Sequence, residues 1–255
     1  MRNTVLLLLT TLLFSCVTQE KVERVELIAH AGGAIDGNIY TNSLEALQQA
    51  KANGYEFIEF DLIFTSDSVL VAAHSWSDFN EITGFAHKGD CAPSFAEFSS
   101  RRIHNRYTPL SADDINSFFV ANRNLYLVTD KTSSPEVLAR YFPELKERMV
   151  VEAFNYNDYC KLIDEGYFRV LYSCMASDLK PTLQKNLLFH RLFPGKKIQW
   201  LALHTSGLEY DFFKLLNNWR KFNIALFTID DYGEIPEKYK KRFGMIYTNT
   251  ITPEK

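Results

Sequence analysis

Phe57-Ile58-Glu59-Phe60-Asp61-Leu62 sets two carboxylates two residues apart in an otherwise apolar run. On a β-strand, residues i and i+2 share a face, so Glu59 and Asp61 project to one side, about 7 Å apart along the chain. The apolar residues around them need neighbours to pack against. Burying an unpaired carboxylate is costly, so a pair held this way calls for a metal ion, a basic partner or open water.

The flanks narrow the choice. Upstream, Val25-Glu26-Leu27-Ile28-Ala29-His30 is a short apolar run that ends in a histidine and breaks at Ala31-Gly32-Gly33, the pattern of a strand emptying into a loop. Downstream, Val69-Leu70-Val71-Ala72-Ala73 ends in His74. A lone histidine is usually a surface or structural residue. Here three neighbouring candidate strands end in His, Glu/Asp and His within 45 residues.

At these residues the chain resembles a known family. His30-Ala31-Gly32, Asn42 in Thr41-Asn42-Ser43, Glu59-Phe60-Asp61, Thr65-Ser66-Asp67 and His74 follow the order and spacing of the glycerophosphodiester phosphodiesterases. That family's signature runs His-Arg-Gly, Glu-Asn-Thr, Glu-Leu-Asp, Thr-x-Asp-Gly and His-Asp. Near the other end, Ile224 to Ile229 looks like its penultimate strand, and Met245 to Asn249 with Pro253 like its closing strand and turn. Phosphoinositide phospholipases C and sphingomyelinases D share the same barrel. The chain departs from the pattern at Ala31, where the family has a phosphate-gripping arginine, at Thr41 and at Ser75. The family's third metal ligand comes from Glu-x-Lys on the next strand. We expect Asp130 to fill that place beside Lys131; aligning Lys131 with the family lysine would put Thr129 there instead.

Strands alternating with helical stretches imply a parallel sheet and an α/β fold. Candidate strands are 25–30, 56–62, 124–129, 148–154, 168–173, 198–203, 223–229 and 245–248, with 69–74 as an extra strand beside the second. Helical stretches lie near 43–53, 135–146, 156–165, 178–191, 209–221 and 235–243. The 239 residues after Cys16 suit one barrel, and a 46% hydrophobic composition suffices for its core. With the resemblance, the expectation is a (β/α)8 TIM barrel over 25–255. An insertion at 76–115, after the second strand region, should sit over its mouth; it holds Arg101-Arg102, and with Ala31 in place of arginine a second positive charge must come from Lys131 or an arginine of this insertion.

Residues 1–16 read as a targeting segment: Arg2, an apolar stretch too short to span a bilayer confidently, and Leu13-Phe14-Ser15-Cys16. This looks like a bacterial lipobox, with Cys16 lipidated, 17–24 a tether, and the domain anchored at the cell envelope, periplasmic or outer membrane. The alternative is a secreted protein with an incidental Cys16. Cys91, Cys160 and Cys174 match no zinc spacing. A net charge of −3 leaves no basic footprint for nucleic acid.

Oxygen ligands from Glu59, Asp61 and Asp130 suit a hard divalent metal, Ca²⁺ or Mg²⁺. His30 and His74 would serve as base and acid on a small-molecule phosphodiester or phospholipid head group, with Asn42 and Lys131 beside the phosphate. Glu152 would join the metal's surroundings, bond substrate, or simply pair with Arg148 or Arg169. His204 at a strand end is a further candidate, and Tyr247 could lay its ring against glycerol or sugar. Asp230 and Asp231 read as caps of the following turn. Three functions fit: a hydrolytic phosphodiesterase, a related phospholipase forming a cyclic phosphate, and a lipid-anchored binding domain that has lost turnover.

Overall fold

The computed structural model describes residues 25–174, 198–205, 223–235 and 243–254. Cys16, the tether and the helical stretches at 178–191 and 209–221 lie outside them, as does most of 235–243.

Strands β1 (Glu26–Ala29), β2 (Phe57–Phe64), β4 (Tyr126–Asp130), β5 (Met149–Ala153), β6 (Arg169–Cys174), β7 (Trp200–His204), β8 (Asn223–Phe227) and β9 (Phe243–Thr248) pair in parallel, each with the next. β1 pairs with both β2 and β9, which closes the sheet into the expected eight-stranded barrel. β3 (Leu70–Ala72) turns back antiparallel on the far end of β2, with Leu62 opposite Ala72 and Phe64 opposite Leu70.

The period of two along each strand explains the core. Ile28, Phe57, Val128, Val150, Leu171 and Met245 belong to one apolar cluster that takes at least one residue from every barrel strand, so it fills the lumen. Ile58, Phe60, Leu127 and Val151, one step out of phase, join a second cluster with helix residues such as Leu47, Ile115, Phe119 and Leu138. Each fully buried Ile or Leu there contributes about 1.5–3 kcal/mol. The outer layer holds α1 (Leu44–Ala52), α4 (Ala112–Ala121), α5 (Pro135–Tyr141) and α6 (Tyr156–Asp164). Their starts follow capping chemistry: Ser43 accepts from Ala46 N–H, Ser111 and Asp114 form a capping box, and Ser134 precedes Pro135. No helix among the described residues is long and apolar enough to cross a membrane.

The 76–115 segment packs mainly against the β2–β3 hairpin. It folds into α2 (Trp76–Ile82), α3 (Phe95–Ser100) and the start of α4, and Phe79, Phe98, Ile103 and Tyr107 build a third cluster against Val71, Ala73 and Ala46. Its large apolar residues require burial, and the outer face of the β2–β3 hairpin and α1 provides it. Arg101 is spent on that packing, 2.5 Å from Asn80 Oδ1 and 4.0 Å above the Phe85 ring. None of the segment's residues lines the central cavity.

Candidate active site

Continuing each strand's inward face past the lumen cluster leads to the polar residues. His30 follows Ile28, Glu59 and Asp61 follow Phe57, Asp130 follows Val128, Glu152 follows Val150, and Ser173 follows Leu171. All sit at the C-terminal strand ends, where barrel sites form. The same phase resolves the choice between Asp130 and Thr129: Asp130 shares the inward face with Val128, whereas Thr129 is out of phase with it, on the side of Leu127. The cavity at this mouth measures about 310 Å³ and is lined by His30, Glu59, Asp130, Lys131, Glu152, Phe154, Ser173, Phe227 and Tyr247.

Glu59, Asp61 and Asp130 each bring a carboxylate oxygen within 4.8 Å of the others. Glu59 Oε2 accepts the Ala31 N–H at 2.7 Å, while Oε1 is buried with no hydrogen-bond partner. Lys131 Nζ lies 3.9 Å from Asp61 and 3.8 Å from Asp130, the one Lys or Arg paired with the three carboxylates among the described residues. Burial and the neighbouring Asp61 and Asp130 push the Glu59 carboxyl well above its usual range; burial and Asp130 push Asp61 up to about 6. An orphaned buried oxygen amid an excess of buried negative charge is what a divalent cation would satisfy, so the residues present fit such an ion.

Asn42, expected beside substrate, instead spends its amide on Asp61: Nδ2 donates to Oδ2 at 3.0 Å, and Oδ1 accepts the Asp61 N–H at 3.1 Å. It therefore orients a carboxylate. Ala31 (φ 49°), Asn42 (φ 48°) and Lys131 (φ 66°) all adopt left-handed backbone, which is uncommon for non-glycine residues.

Burial, followed by the charge of His74, lowers the His30 imidazole to about 4. Thr228 Oγ1 lies 3.2 Å from its Nδ1. His74 is half-exposed, with Nδ1 2.6 Å from Asp78 Oδ2. Asp78 sits in the first turn of α2, where the Ser75 cap both donates to its carboxylate and accepts its N–H. Glu152 pairs with neither candidate arginine. Arg148 donates to the carbonyls of Phe119, Asn122 and Leu125, and Arg169 to Glu26. Instead Glu152 accepts from the Tyr247 hydroxyl, and burial, with Asp130 next, raises it to about 8.

His204 is exposed, lies edge-on to Phe227 with centroids 5.5 Å apart, and does not line the cavity. Asp230 pins the chain after β9, accepting the Asn249 N–H at 2.6 Å and its side-chain amide at 2.8 Å, whereas Asp231 caps the next turn as expected. Sequence reasoning passed over Tyr40, Asp78, Ser173 and Thr228. Ser173 was detectable two residues after the inward Leu171, and Asp78 one helical turn after His74. Tyr40 and Thr228 reach the site from loops with no periodicity to flag them.

A model of the glycerophosphoryl diester phosphodiesterase family matches residues 32–165, just over half of the 255-residue chain. The chain belongs to that family. Among solved structures, a glycerophosphodiester phosphodiesterase from Parabacteroides distasonis is 20% identical with a TM-score of 0.62, the match covering 88% of this chain and 92% of that one. An Oleispira antarctica phosphodiesterase, solved with the product sn-glycerol-3-phosphate, is 16% identical at a TM-score of 0.62, with 88% and 92% covered. At these identities the likeness is one of fold. A rat protein, glycerophosphodiester phosphodiesterase 1, is 46% identical over 52 residues, 20% of this chain and 15% of that relative's length. Within the family pattern, this glycerophosphoryl diester phosphodiesterase family member has a buried Ala31 after its first histidine and Asp130 directly before its lysine.

Proposed function

We propose that this chain is a divalent-metal-dependent phosphodiesterase acting on glycerophosphodiesters or phospholipid head groups. The carboxylate triad, with its orphaned Glu59 oxygen beside two histidines at the barrel mouth, carries this reading. Glu59, Asp61 and Asp130 would hold Ca²⁺ or Mg²⁺, and such an ion supplies positive charge to the phosphodiester oxygens. Lys131 adds a second cation close to Asp61 and Asp130. His30, neutral at pH 7 because burial lowers it to about 4, takes the proton of the attacking hydroxyl or water at a ring nitrogen. His74, with Nδ1 held by Asp78, delivers a proton to the leaving alcohol oxygen from Nε2. Phe154, Phe227 and Tyr247 supply the aromatic part of the cavity lining. If Cys16 is lipidated as its sequence context suggests, this chemistry is tethered at a bacterial envelope surface.

Ala31 favours one alternative: with no guanidinium at that position, the domain would hold a metal and a phosphate without turnover. The deciding experiment measures alcohol release from glycerophosphodiesters and phosphoinositides with Ca²⁺, Mg²⁺ or chelator, with products followed by phosphorus NMR. Chelator-sensitive release supports the enzyme, and a persistent cyclic phosphate marks attack by the substrate's own hydroxyl. Absence of release with every ion, alongside calorimetric ion binding, overturns the enzyme in favour of the binding domain.

A further inference from the structure

Tyr40 takes no part in the chemistry above, yet its ring touches both histidines. Its centroid lies 4.7 Å from that of His30 at an interplanar angle of 75°, and 5.0 Å from that of His74 at 50°. These separations suit favourable aromatic contacts. Thr228, whose Oγ1 is 3.2 Å from His30 Nδ1, neighbours the Tyr40 hydroxyl. One ring therefore contacts both imidazoles directly. Its backbone is left-handed, φ 56°, a conformation in which a bulky residue persists only where its surroundings over-determine it.

We propose that Tyr40 is a positioning residue whose ring fixes the orientation of His30 and His74 relative to each other. An acid and a base working on the two ends of one phosphodiester must be held together to within a fraction of an ångström. Asp78 holds His74 at Nδ1 alone, and His74 is half-exposed and comes from the segment leading into α2, away from the strand end that carries His30, so the Tyr40 ring is its link to His30. A planar ring can touch both imidazoles at once and hold them in one relative orientation; a flexible aliphatic chain cannot. The inference rests on the phosphodiesterase reading above.

The test compares Tyr40→Phe, which keeps the ring, with Tyr40→Leu and Tyr40→Met, which remove it. Kinetics are read beside the ring-nitrogen NMR signals of both histidines in substrate-free protein, and thermal melting confirms folding. The Phe variant should keep kcat within about threefold, whereas Leu and Met should lower kcat about 30-fold with KM within about twofold, the scale of slight misplacement. Both histidine signals should shift in the Leu and Met variants. Should Leu fail to fold, Met, closer in volume to the ring, carries the comparison. Unmoved histidine signals, or a Phe variant as impaired as Leu, overturn the positioning role. A wild-type protein without turnover, whose histidine signals still shift in the Met variant, sinks the phosphodiesterase reading and leaves the positioning intact.

Discussion

Glu59 concentrates the conflict within the site at a single side chain. One of its oxygens is satisfied by the Ala31 N–H and the other by nothing among the described residues, while Asp61 and Asp130 repel it. Glu59→Gln removes a buried charge and a candidate ligand together. We expect the chelated variant to melt higher than chelated wild type, to lose the stabilisation that Mg²⁺ or Ca²⁺ confers, and to turn over about 10³-fold more slowly. A variant that still gains stability from the ion would show that the triad is not where the cation binds. Asn42 tests the next layer. Asn42→Leu retains the volume but removes the amide's bonds to the Asp61 carboxylate and to the Asp61 backbone N–H, so ion affinity should fall about 10–100-fold by calorimetry. Unchanged affinity would argue that Asp61 is held without it.

At the level of elements, β2 serves two purposes through strict alternation. Its inward residues end in Glu59 and Asp61, and its outward Ile58 and Phe60 bind the helical layer. The site's accuracy therefore depends on helices that never touch it. Phe119 of α4 is fully buried in that layer. Phe119→Ala should cost about 3–5 kcal/mol in urea unfolding, with little change in the unfolding slope. A cost under 1 kcal/mol would mean that the layer collapses around the gap.

Across the whole molecule, titration of the site sets a pH dependence whose sign depends on the metal. Asp61 and Glu152 have folded values raised to about 6 and about 8, and Glu59 is raised as well. A raised carboxyl binds protons more tightly in the folded state, so its stabilisation is complete at low pH and is lost as pH rises through the folded value. His30 acts the other way: lowered to about 4 from 6.5, it contributes stability above pH 6.5 that disappears as pH falls through 4. Between pH 6.5 and 8 only the carboxyls act, so the chelated protein should lose melting temperature across that window. Saturating divalent ion should flatten or reverse the slope, because it binds the ionised triad; at 100 times its Kd the ion would add about 2.7 kcal/mol. A chelated protein whose melting temperature is flat from pH 6.5 to 8 would contradict the buried charge assigned to these groups.

The sequence by itself determined the strands, because a period of two in apolar residues follows from burying one sheet face, and it determined that Glu59 and Asp61 share a side. It also determined the candidate acid–base pair His30 and His74 and the candidate ligand Asp130, since each closes an apolar run. Only the tertiary structure decided that Asn42 serves a carboxylate, that Glu152 meets Tyr247 from across the barrel, and that the apolar residues of 76–115 pack against the β2–β3 hairpin and α1. Those contacts join residues far apart in the chain, such as Glu152 and Tyr247 or His30 and Thr228, and local periodicity carries no information about them. Closure of the barrel through β1 brings them together, and no single segment encodes that step.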